Sequence, residues 1–289
     1  MADSETGFKR MIIGLPHNPR DYPAVSTTVW LAKQLGIDLI GTVFEDVGLA
    51  QLADLPEARE FRAMSSWQPL SAAQLTSDLA RMSAEAQRMF SEIIAQQRTS
   101  GSFQLARGSA ADFLVQAGAN DIVAIVDPKN PLERITRQFR ELVDIIFQTA
   151  ASVLIVPSSP PVDSRQLVAA GSRIGDPAIA TAIAIAASAK EPLTIIPLEQ
   201  SPQALARVVE RARQLGVRTT VAQPMLHGAD LSSLATVSCN LKGKLLIAGR
   251  ERFAIADHSF SQLRVQIPLL LVRSGASSPW NRPDAAEDA

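Results

Sequence analysis

The 289-residue chain is poor in the residues that usually announce chemistry: it has one cysteine, three histidines and one tyrosine. A single cysteine, Cys239, excludes an intramolecular disulfide and fits a reducing compartment. Its setting, LATVSCNL, reads as a small core position. His17, His227 and His258 stand in no metal-ligand spacing with Cys239 or with one another. His17, in LPHNPRD with Asn18 and Asp21 nearby, is the best placed of them, either as an exposed turn residue or as a general base. No nucleophile elbow and no P-loop is present. No apolar run approaches the roughly 20 residues of a membrane span. The nearest, AIATAIAIAASA at 178–189, is stopped by Lys190 and Glu191. The opening MADSETGFKR carries acids and no apolar core of a leader, so no secretory signal is expected and a cytoplasmic location is. Dense Lys/Arg runs with interleaved aromatics are missing, which argues against nucleic acid as a partner; no membrane partner is expected either.

What is present suits a folded protein of two domains. Apolar residues make up 46% and charged residues 20%, enough to bury two cores of ordinary size. The net charge of −1 is unevenly spread. Acids outnumber bases over 1–164, and bases outnumber acids over 165–274. Either the two halves dock on each other by opposite sign, or the second half holds an anion site.

Strand-like and helix-like segments alternate. RMIIGL (10–15) reads as a buried strand, and AVSTTVWLAKQLG (24–36) as a helix closed by Gly36. IDLIGTVFE (37–45) is the next strand. A long segment, 46–98, follows, with helical periodicity clearest over 76–97, where Leu79, Met82, Met89 and Ile93 share a face. That segment, with Met64 and Trp67, is either a core face with an exposed connection or a surface for a protein partner. Strands are predicted at 102–108, 121–127 and 152–158, with helices at 109–118 and 132–150. After a proline-stiffened linker, SSPPVDSR (158–165), the order begins again. Strands fall at 166–172, 192–199, 217–223, 244–250 and 268–274. Helices lie between them, one opening with Asp176 as cap and Pro177 in its first turn. An internal duplication is implied, with parallel sheets and right-handed crossovers.

The closing segments RELVDIIFQTAASVLIVPSS and FSQLRVQIPLLLVRS both resemble the end of a universal stress protein domain, where a helix leads into an apolar strand. KRMIIGLPHNPRDYPAVSTTVWLAKQLGIDLIGTVFE resembles that family's first strand, helix and second strand. The resemblance spans nearly the whole chain as two tandem copies. It implies an α/β fold, Rossmann-like and of the adenine nucleotide alpha hydrolase type, each copy a five-stranded parallel sheet flanked by helices. Domain 1 is then 1–158, with 46–98 as an elaboration, domain 2 is 165–274, and 275–289 is a flexible tail. Because the family pairs through its closing strand, 152–157 and 268–273 are expected near each other, in two separate sheets rather than one.

ATP-binding members of that family carry a glycine motif, G-x2-G-x9-G-[ST], after the fourth strand. In the first copy its positions fall on Asp127, Asn130, Arg140 and Glu141. Pro16 stands where the family's first strand ends in an acid that contacts adenine. All are replaced, and Asp127 and Glu141 would set negative charge beside a triphosphate. The resemblance therefore implies no ATP in the first domain. In the second copy Gly249 matches the first motif glycine, while the next position falls on Arg252 in a loop about six residues shorter than the family's. Gly171, Ser172, Arg173, Gly249, Arg250 and Arg252 follow strands, at the edge where open α/β sheets bind ligands. The arginines are either solvated, or paired with acids of the first half, or part of a site for a phosphate or carboxylate. Two functions follow. One is a non-catalytic tandem universal stress protein in stress response or signalling, working through self-association, another protein or a small anionic ligand, without cofactor. The other binds or hydrolyses ATP or AMP through a rebuilt site in domain 2. Metal ligands are not expected.

Overall fold

The computed structural model describes residues 7–15, 21–45, 55, 57–61, 67–108, 110–134, 136–161, 164, 166–199, 201–223, 230–253 and 265–274. Pro16, His17, Asn18, Met64, Ser109, His227, His258 and the tail lie outside them. In the first half, β1 (Arg10–Gly14), α1 (Tyr22–Leu35) and β2 (Asp38–Glu45) lead to a short hairpin, β3 (Arg59–Phe61) with β4 (Trp67–Pro69). Then come α2 (Ala72–Gln97), β5 (Gly101–Arg107), α3 (Ala110–Leu114), β6 (Asp121–Asp127), α4 (Pro131–Arg134), α5 (Arg137–Gln148) and β7 (Ser152–Pro157). The second half repeats the order with β8 (Gln166–Ala170), α6 (Pro177–Ala189), β9 (Leu193–Ile196) and α7 (Pro202–Gln214). It closes with β10 (Thr219–Val221), α8 (Leu231–Asn240), β11 (Gly243–Gly249) and β12 (Leu269–Val272).

Local chemistry sets several boundaries. Gly36 ends α1 at φ 65°, the left-handed conformation that costs glycine least. Ser71 caps α2 by accepting from the Gln74 N–H, and Asp176 caps α6 by accepting from Ala178. The helix expected over 132–150 is instead two, because Thr136 adopts an extended conformation and its hydroxyl caps α5 at Phe139. The elaboration is not wholly helical, since the β3–β4 hairpin precedes α2. Within α2 the buried face runs through Ala86, Met89, Phe90 and Ile93. Gly41 on β2 meets it, and a Cβ there would lie 2.8 Å from the Phe90 ring. Cys239 is only part-buried, its thiol 3.1 Å from Gln266 Oε1; the adjacent Ser238 takes the core position.

The expectation of two separate sheets is corrected. Ten strands form one sheet in the order β10-β9-β8-β11-β12-β7-β6-β1-β2-β5. Within each half every neighbouring pair is parallel, and β12 meets β7 antiparallel with Leu269 opposite Ile155, Leu270 opposite Leu154 and Leu271 opposite Val153. All of β7 and β12 is buried. Left as edges, they would expose unpaired N–H and C=O groups beside apolar side chains; pairing with each other removes both edges. Helices α1, α2, α6 and α7 cover one face, and α3, α5 and α8 the other. Across the seam α1 packs on α6, and Lys244 Nζ sits 3.8 Å from the centre of the Trp30 ring. Strand direction reverses at the seam. The carboxyl ends of the two halves therefore open on opposite rims of the sheet, each with its own switch point, between β1 and β6 and between β8 and β11.

Candidate functional site

At the first switch point β6 ends on Asp127. Asp127 is only 7% exposed, and its carboxylate lies 2.8 Å from Nε of Arg134 on α4, itself 7% exposed. Burial pushes the Asp127 carboxyl up to about 6, against the pull of the Arg134 guanidinium. The Ser158 hydroxyl donates to the Asp127 carbonyl and ties β6 to the end of β7. Asn130 is spent locally, its Oδ1 accepting from the Leu132 N–H at the start of α4. Arg140 and exposed Glu141 lie near the start of α5. Asp127 and Asn130 thus have separate structural jobs. The expectation that Asp127 would present charge to a phosphate is corrected, because its charge is turned into a buried ion pair with Arg134. Arg134 was missed in the sequence; its only signal was a base placed one loop and one turn after a strand-ending acid.

At the second switch point a cavity of about 530 Å³ lies between β8, β11 and the starts of α6 and α7. Arg173, Gly175, Asp176, Arg207, Gly249 and Arg252 are among its walls, with Glu251 and Ser274 at the rim of β12. Of the six ligand candidates, Arg173, Gly249 and Arg252 reach the cavity. Arg252 lies 3.3 Å from the buried carboxylate of Asp176 and 3.3 Å from Glu199, while Arg173 Nε lies 2.8 Å from the other Glu199 oxygen. These acids belong to the second half, so the alternative of pairing with first-half acids is not what forms. Burial raises the Asp176 carboxyl above its ordinary value, opposed by the Ala178 N–H and by Arg252. Gly249 has an ordinary strand-like backbone, φ −71° and ψ 127°. A Cβ there would sit 3.7 Å from the Arg252 side chain and 3.8 Å from Asp176. These are ordinary contact distances, so neither space nor backbone conformation demands glycine at this position. Arg207, on α7, was not singled out in the sequence, where it looks like any exposed helical arginine. It is exposed and forms no ion pair among the described residues.

Three candidates are corrected. Arg250 turns away from the cavity to the C-terminal end of α5, where it donates to the carbonyls of Phe147, Thr149 and Ala151 and lies over the Phe147 ring. Arg273 adds a bond to the Thr149 carbonyl. The unsatisfied carbonyls and negative dipole end of a helix attract a cation, so Arg250 is a clamp between halves. Burial, with Arg273 beside it, lowers its pKa from the ordinary value. Ser172 is fully buried, and its hydroxyl accepts from the Leu198 and Glu199 N–H groups, holding the end of β9 against β8. Gly171 lies under that staple, where a Cβ would come within 2.8 Å of both Asp176 and Ile179.

No helix among the described residues is long and apolar enough to cross a membrane. The chain matches no protein-family model and no curated protein in sequence. Its likeness is structural. A universal stress protein from Archaeoglobus fulgidus DSM 4304 matches with a TM-score of 0.62 at 11% identity, covering 92% of this chain and 96% of that one. A functionally unknown protein from Pseudomonas aeruginosa PAO1 matches with a TM-score of 0.50 at 13% identity, covering 94% and 95%. With its helix-flanked parallel sheet halves, this chain has the Rossmann-like fold of the universal stress proteins.

Proposed function

We propose that the chain is a non-catalytic receptor for a small anionic ligand, bound in the second half, with the first half serving as its structural partner. The observation that carries this is the asymmetry of the two switch points. In the second half three arginines line an open cavity of about 530 Å³, within the size range of small-molecule sites. In the first half the corresponding strand end is closed on itself by the Asp127–Arg134 pair. Arginine presents a planar fork suited to carboxylate or phosphate, and Arg252 is pre-positioned from behind by Asp176. A role in stress response or signalling, exerted through a protein partner or a second copy, is the output proposed for that site. Nucleotide binding in the same cavity is the second reading, favoured by the open face of Gly249. Equilibrium binding of AMP, ATP and cyclic AMP to the full chain tests both. Saturable binding of at least one of them is expected, weakened about tenfold to hundredfold by Arg207→Ala, as for loss of a hydrogen bond to a charged group. It should also weaken with added salt. If no nucleotide and neither phosphate nor citrate binds at millimolar concentration, the receptor assignment fails.

A further inference from the structure

The acid between the arginines narrows what the cavity can take. Glu199 Oε2 lies 2.8 Å from Nε of Arg173, and Oε1 lies 3.3 Å from Nη1 of Arg252. One carboxylate thus bridges the two arginines, as the carboxylate or phosphate of a ligand would. Its backbone is pinned, because the Glu199 N–H donates to the buried Ser172 hydroxyl at 2.9 Å. The side chain is only about a third exposed. The carboxylate is therefore held at high effective concentration against both cations. Arg207 is the remaining cavity cation and carries no such partner among the described residues.

We infer that Glu199 is a resident competitor for the anion seat, so that the folded site admits a small ligand with one anionic group, taken by Arg207, and rejects polyphosphates. This inference rests on the receptor assignment above. A polyanion entering the cavity either displaces Glu199 from two arginines at once or lies beside its negative charge, and both disfavour it. A single phosphomonoester or carboxylate engages Arg207 and leaves the Glu199 bridge intact. Glu199 acts as a specificity-determining residue, and removing its charge adds to Arg207 the guanidinium of Arg173 and the edge of Arg252 that Asp176 does not hold.

The test measures equilibrium binding of AMP and pyrophosphate to the full chain carrying Glu199→Gln, Glu199→Ala or Arg207→Ala, beside the unaltered protein. Two neutralising variants guard against one that folds poorly. The unaltered protein is expected to prefer AMP. Both Glu199 variants should gain at least tenfold in pyrophosphate affinity, about 1.4 kcal/mol, with smaller change for AMP. Arg207→Ala should lose at least tenfold for AMP. If AMP binds but pyrophosphate affinity stays within twofold in the Glu199 variants, the competitor role is overturned and the receptor assignment stands. If neither probe binds any of the four proteins, both fall. Binding of pyrophosphate only after neutralisation of Glu199 supports both.

Discussion

Replacing Arg134 with Met should destabilise the first half by an amount that depends on pH in a calculable way. The substitution keeps apolar bulk beside α4 but leaves the buried Asp127 carboxyl without its cation. In the native protein that carboxyl titrates at about 6, raised from 3.8 by burial. A tenfold change in proton affinity corresponds to about 1.4 kcal/mol. A raised carboxyl favours the protonated folded state. Its contribution is therefore fully present below pH 3.8 and is lost as pH rises through about 6, a decline of about 3 kcal/mol. Without Arg134 the carboxyl stays protonated to higher pH. At pH 7.5 the penalty then grows toward its ceiling, the cost of protonating an ordinary carboxyl at that pH, about 5 kcal/mol. At pH 5 the group is protonated in both folded proteins and the difference vanishes. Arg134→Met should thus cost about 2 kcal/mol more at pH 7.5 than at pH 5, on top of a pH-independent loss of packing. Urea denaturation at the two pH values, with slopes checked for equal surface exposure, reads this directly. A cost that is the same at both pH values, or larger at pH 5, would refute the buried-pair account.

Other outcomes follow from the same structure. Arg250→Ala removes the cation from the carbonyls at the end of α5 and should cost on the order of 2 kcal/mol in urea denaturation. AMP affinity should stay unchanged, since Arg250 does not line the cavity. Gly41→Ala should cost about 1–3 kcal/mol, because the new methyl would press on the fully buried Phe90 ring, which has no room to retreat; a melting temperature within a degree of the native value would contradict this.

Much of the fold was legible because it is written in local pattern. Apolar runs such as DIVAIVD and SVLIVPS are long enough for one strand and too short for a helix, so their order alone implied a parallel sheet in each half. Gly36 and Asp176 marked helix ends because backbone conformation and capping are decided within a few residues. The cluster of bases after the strands of the second half was equally plain. What the sequence left open is where side chains go once strands are side by side. Arg250 and Arg252 are two residues apart and look alike. The short turn after β11 points one at the carbonyls of α5 in the other half and the other into the cavity. In the sequence Asp127 reads as negative charge set where a triphosphate would lie, and only the fold shows α4 bringing Arg134 over it. Arg207 became a cavity wall only through the packing of α7. Joining β7 to β12 depended on two apolar edges, more than a hundred residues apart, meeting each other rather than a partner molecule. Periodicity and capping act over a few residues and are read from them. Ion pairing, edge closure and cavity shape act through space and are fixed only by the folded chain.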